Sequence, residues 1–121
     1  MGTWGPGNFE NDYALDYINE VIDKYIKEIE DLFNDEYAAD LDELGEGVLI
    51  PNVVIITAII ENTAGYIYKD IVKKWKEKYL NIYDSQIDVL GAKEEYKIKR
   101  RKIIEETFEK LEDLSRTRKI N

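Results

Sequence analysis

Apolar residues recur in steps of three and four across residues 12–33, at Tyr13, Tyr17, Ile18, Val21, Ile22, Tyr25, Ile26, Ile29, Leu32 and Phe33. That period puts them on one face of a helix, with acids and lysines on the other. Asn11 or Asp12 can cap its start by accepting from the free amides of the first turn, and Phe9 is placed to pack back on that turn. A second apolar run covers residues 48–60, broken only by Pro51, Asn52 and Thr57. Its valines and isoleucines would suit a buried strand, but Pro51 fits the first turn of a helix, Gly65 fits a C-terminal stop, and the run is long for a strand. It is therefore expected to be a fully buried central helix. Residues 66–80 read as a basic amphipathic helix, with Tyr68, Ile71, Val72, Trp75, Tyr79 and Leu80 on the side that would pack against the central one. Ser85 can cap a short segment reaching Leu90, and Gly91 interrupts before a last long helix over about 93–118, with Tyr96, Ile103, Ile104, Phe108, Leu111 and Leu114 at helical spacing.

These elements predict an all-α fold: a compact bundle of four to five helices around a buried apolar central helix, in one domain spanning residues 1–121. Composition agrees, since 44% apolar and 36% charged residues make a globular chain with a heavily charged surface. The chain has no cysteine and no histidine. This removes thiolate nucleophiles, imidazole bases and the side chains that dominate zinc and copper sites, so no cofactor or metal is expected and most familiar catalytic arrangements are excluded. The first dozen residues carry no basic segment followed by an apolar one, and no window reaches the roughly 20 apolar residues of a membrane span. A cytoplasmic location without membrane contact is expected.

The net charge of −9 is unevenly spread: residues 1–47 hold 14 acids against Lys24 and Lys27, while residues 48–121 hold 12 acids against 15 bases. An acidic half of this kind repels nucleic acid and steers basic partners. Residues 34–47 are expected to form a helical turn followed by a loop. They carry the densest acids, Asp35, Glu36, Asp40, Asp42, Glu43 and Glu46, together with Tyr37. These seven residues form the candidate partner-binding site, since small acidic proteins neutralise basic toxins or nucleases by occupying sites meant for phosphates. The basic run at residues 97–102 could suggest nucleic acid, but acids follow it at helical spacing, Glu105 for Arg101 and Glu106 for Lys102. A solvated, ion-paired helix docked on the acidic half explains it better, and no nucleic-acid partner is expected.

The opening residues, Trp4-Gly5-Pro6-Gly7-Asn8-Phe9-Glu10-Asn11-Asp12-Tyr13-Ala14-Leu15-Asp16, are the most distinctive of the chain. They resemble the start of domain-of-unknown-function family 4259, whose members open with Trp-Gly-x-Gly-x-Phe-x-Asn-Asp-x-Ala-x-Asp. The resemblance implies a helical domain and brings no activity with it. The motif residues Trp4, Gly5, Gly7, Phe9, Asn11 and Asp12 are read structurally, as apolar anchors, tight turns and a helix cap sealing one end of the bundle. A competing reading makes Asn11, Asp12 and Asp16 the centre of a small carboxylate or metal-assisted enzyme. A third makes the chain a structural subunit of a larger assembly. Non-catalytic protein binding, of the immunity-inhibitor type, is the leading expectation.

Overall fold

The computed structural model describes residues 2–118 and contains four α-helices: α1 (Asp12–Asn34), α2 (Ile50–Asn62), α3 (Lys69–Gln86) and α4 (Glu94–Leu114). The all-α bundle follows as expected, with α1 packed on α2, and α2 and α3 both packed on α4. The third helix thus lies against α4, not against α2 as its sequence suggested.

Asn11 is the α1 cap, its side-chain oxygen accepting from the Ala14 amide at 2.8 Å. The buried stripe of α1 is Ile18, Ile22, Ile29 and Leu32. Tyr13 and Tyr17 share its periodicity but are 88% and 64% exposed, because they lie on the outer side of the first two turns. Ahead of α2, residues 45–49 form a π-helical turn that runs straight into the helix, so the expected loop ends at Leu44. In α2, Ile50, Val53, Ile56 and Ile60 are buried while Val54 and Ile55 are exposed, so the central helix is half covered and not enclosed. By length and composition alone, the stretch Gly45–Asn62 could cross a membrane; here its buried apolar residues belong to the shared core. Gly65 has an ordinary negative φ, so left-handed backbone does not end α2. Thr63 caps it in extended conformation, and Gly65 is small because a side chain there would meet Ile18 and Ile22 within 2.6 Å.

Helix α3 continues past its expected end to Gln86, absorbing Ser85, whose hydroxyl donates to the Ile82 carbonyl. No separate helix forms over 85–90; a turn closed by Gly91, at φ +74°, leads to α4. Trp75, Tyr79 and Tyr83 repeat every four residues on α3 and are fully buried. Helix α4 buries Ile104, Phe108 and Leu111, but Tyr96, Ile103 and Leu114 are exposed, and the helix stops at Leu114 instead of Arg118.

Two stability predictions follow from this packing. Replacing Asn11 by Ala removes the α1 cap and is expected to lower unfolding free energy by about 1 kcal/mol in urea titration, with Asp12→Ala costing less. The Asn52 side-chain nitrogen is buried and meets no acceptor among the described residues. Asn52→Leu, of similar volume, is expected to raise stability by about 1–3 kcal/mol, since an unsatisfied buried donor is removed; a lower urea midpoint would contradict this.

Candidate functional site

The seven acidic-segment residues fall into two groups. Glu36, Tyr37, Asp42 and Glu43 face solvent, and Tyr37 is 62% exposed. The remaining three organise the segment. Asp35 accepts from the Tyr37 and Ala38 amides at 3.1 and 3.2 Å, closing the turn after α1. Asp40 accepts from the side-chain amide of Gln86 at 2.8 Å, while the carbonyl of the same Gln86 accepts from the Leu41 amide at 2.9 Å. Gln86 thereby clamps the acidic turn to the end of α3.

Glu46 turns inward from the π-helical turn. Arg100 of α4 donates to it twice, from Nε at 3.0 Å and Nη2 at 2.8 Å, and the Tyr79 hydroxyl donates at 2.7 Å. Both partners of the ion pair are largely shielded from water. Burial raises the Glu46 carboxyl, but the Arg100 hydrogen bonds, the Tyr79 hydroxyl and the guanidinium charge outweigh it and hold the group below the usual 4.5. Burial and the Glu46 hydrogen bond push the Tyr79 hydroxyl far above its ordinary range. Next to this triad opens a groove of about 460 Å³, lined by Leu41, Ile87, Leu90 and Ala92 with Glu46, Lys93 and Tyr96. It is an apolar slot beside the acidic turn, suited to one partner side chain.

Sequence reading missed Tyr79, Gln86 and Arg100 as parts of this site. Arg100 is 54 residues from Glu46, and no local spacing reveals such a pair. Elsewhere, the basic run pairs largely within its own half: Lys97 with Asp88, Lys99 with Glu95, and Arg101 with both Asp84 and Glu105. Only Arg100 docks on the acidic half, and among the described residues Lys102 forms no ion pair with Glu106.

The N-terminal motif folds as a tight loop in which Trp4 N donates to Glu10 O at 3.0 Å and Asp12 N to Gly2 O at 2.6 Å. The Glu10 carboxylate lies over Gly5 and Gly7, where a Cβ would displace it, and neither glycine uses left-handed backbone. Trp4 and Phe9 correct the expectation that they seal the bundle: they are 51% and 37% exposed, and they line an open depression with Asn62, Thr63 and Ala64. The Trp4 indole donates to Asp12 at 3.2 Å, so the ring is held in place without being buried. Asn11 is engaged as the cap and Asp12 by Trp4, and among the described residues no three carboxylates converge on a metal-sized space.

The depressed Glu46 value sets a pH dependence. Its stabilising contribution is complete above the unfolded value near 4.5 and is lost as pH falls below that through the folded value. In urea titrations, Glu46→Gln is expected to lack this acid-side component while retaining the rest of the acid response. Arg100→Met leaves the carboxylate half-buried without its cation and should cost roughly 1–3 kcal/mol at neutral pH. Identical acid branches for the parent chain and Glu46→Gln would refute the coupling.

Comparison with curated proteins and with solved structures yields no match. The family model described as Domain of unknown function (DUF4259) matches residues 2–105, from the N-terminal loop into α4, and the chain belongs to that family.

Proposed function

We propose that this chain is a non-catalytic protein-binding domain that presents an acidic face to a basic partner, a toxin or nuclease held in an immunity-type complex. One observation carries the reading. Of the 14 acids in residues 1–47, only Asp31 and Glu46 form ion pairs among the described residues. Of the 12 acids in residues 48–121, eight do: Glu61, Asp70, Asp84, Asp88, Glu95, Glu105, Glu109 and Glu112. The basic half neutralises itself and leaves the acidic half uncompensated.

An uncompensated field of one sign accelerates and orients encounter with the opposite sign. The face also has anchors. Tyr13 and Tyr17 stand exposed one helical turn apart among Asp12, Asp16 and Glu20, and Tyr37 stands among Asp35, Glu36, Asp42 and Glu43. Exposed tyrosines among charges provide contact area at low entropic cost and are enriched at binding hot spots. The end of α1 and the turn share a shallow depression, lined by Glu28, Asp31 and Asp35 together with Lys24 and Lys27. A cytoplasmic site of action goes with this reading.

The test is affinity capture from host lysate by the tagged chain and by a variant carrying Glu36→Lys, Asp42→Lys and Glu43→Lys. A basic protein retained by the parent chain at low salt, released near 0.5 M salt and not retained by the variant is the expected result, since screening shortens the Debye length to a few Å at such ionic strength, roughly 3 Å at 1 M. Thermal stability should be nearly unchanged, because the three side chains are exposed. Equal capture by both proteins would end the proposal.

A further inference from the structure

After α4 the chain returns to the residues that lead into α3, in a contact that has the form of peptide recognition. Arg116 N donates to Ile67 O at 2.9 Å and Lys69 N donates to Arg116 O at 2.8 Å, a parallel β-bridge between Tyr68 and Arg116. The Arg116 guanidinium lies 4.2 Å from the Tyr66 ring centroid, and that of Arg118 lies 4.0 Å from Tyr68. Arg118 Nε also donates to Asp70 at 2.8 Å. The two rings meet edge to face, 5.4 Å apart.

The register is what makes this a recognition surface. In extended chains, alternate side chains share a side, so Arg116 and Arg118 face Tyr66 and Tyr68 two by two, with Asp70 closing the end. Backbone pairing supplies sequence-independent affinity, stacking selects a planar cation, and the carboxylate orients it. Such a contact has little to do for the fold: Asp70, Arg116 and Arg118 are exposed, and exposed ion pairs contribute little stability. The same tyrosines line a cavity of about 210 Å³ with Asn19, Asp23 and Ile71, which adds a second carboxylate beside the rings.

We propose that residues 66–70 form a binding strip for an extended Arg-x-Arg segment of a basic protein, and that the chain's own Arg116-Thr117-Arg118 is its resident occupant, displaced when such a segment binds. The strip is independent of the acidic turn. It lies at the start of α3, whereas Gln86 holds the turn at the other end, roughly 25 Å away at 1.5 Å per residue.

The probe is a fluorescein-labelled peptide, Ser-Arg-Thr-Arg with blocked ends, titrated into the full chain and followed by anisotropy. Arg116→Ala/Arg118→Ala removes the stacked cations, leaving the resident segment only its backbone pairing and so largely vacating the strip, and should bind the peptide about tenfold more tightly than the parent chain, because a tethered competitor at an effective concentration of about 1 mM is weakened. The Ser-Lys-Thr-Lys peptide should bind several-fold more weakly. Adding Tyr66→Leu and Tyr68→Leu to the vacated variant should abolish binding. Equal affinity for the parent and the vacated variant, or binding that survives loss of both rings, would overturn the proposal. Should the ring variant not fold, amide spectra of the parent chain decide: millimolar Ser-Arg-Thr-Arg shifts Ile67, Lys69 and Arg116 if the strip is a receptor, and leaves all three unmoved if it is not.

Discussion

The bundle depends on three rings of one helix. Trp75, Tyr79 and Tyr83 bury completely, and each sends its polar tip to a different element: Trp75 to Glu30 of α1, Tyr79 to Glu46 of the π-helical turn, Tyr83 to the Lys97 carbonyl of α4. An aromatic side chain of this kind removes some 150–250 Å² from water, roughly 4–6 kcal/mol at about 25 cal/mol per Å², against about 1 kcal/mol for each hydrogen bond. Burial therefore drives the association, and the polar tips decide its register. This is why α3 can organise α1 and the turn while its backbone lies alongside α4. A leucine stripe would supply comparable burial but would leave the three neighbours free to slide.

Charge is organised by the same arrangement. The lysines and arginines of α3 and α4 mostly meet acids of their own half, across the groove between those helices, along one helix, in the turn before α4 or on α2, as with Lys76 and Glu109, Lys99 and Glu95, Lys97 and Asp88, or Lys110 and Glu61. Helix α1 does touch α3, through Trp75 and Glu30 and through Lys78 over the Phe33 ring, yet among the described residues no lysine or arginine of α3 or α4 forms an ion pair with an acid of α1. The acidic half is uncompensated because of this pairing as much as because of its composition. Arg100 is the exception since Tyr79 draws the Glu46 carboxylate into the interior, where a bare charge would be costly and a bidentate guanidinium satisfies it.

What could be read from the chain follows the range of each interaction. The α1 boundaries were legible because caps and helical periods are local, and Asn11 performs the expected role. That Tyr13 and Tyr17 would be exposed was not legible: periodicity says which residues share a face, not how far a neighbour extends over it. Ser85 looked like a cap, yet Tyr83 and Ile87 carry the buried stripe through it, and burial outweighs the local preference of one serine. In the N-terminal motif the cap was legible and the placement of Trp4 was not, since the Asp12 carboxylate can hold the indole by its N–H while its face stays in water. The acidic site was legible as a composition, but the contacts shaping it, Gln86 with Asp40 and Arg100 with Glu46, join residues 46 and 54 positions apart.

Those two contacts bear on the binding surface proposed for the acidic segment. Residues 34–47 contain two glycines and no apolar stripe of their own, so as a free peptide they would sample many conformations, each of which must be given up on binding. Here Asp35 closes the turn from within, Gln86 grips its middle, and Glu46 is locked at its end by a bidentate pair under a buried tyrosine. Three of the six acids are used to fix the backbone, leaving Glu36, Asp42 and Glu43 displayed at set positions. The ordering cost is met in folding, so the exposed carboxylates can meet a basic surface as a preformed pattern with the apolar groove of Leu41 and Leu90 beside them. In the proposed complex, specificity would reside in geometry that salt does not screen, while the uncompensated charge would govern the rate at which a basic partner arrives.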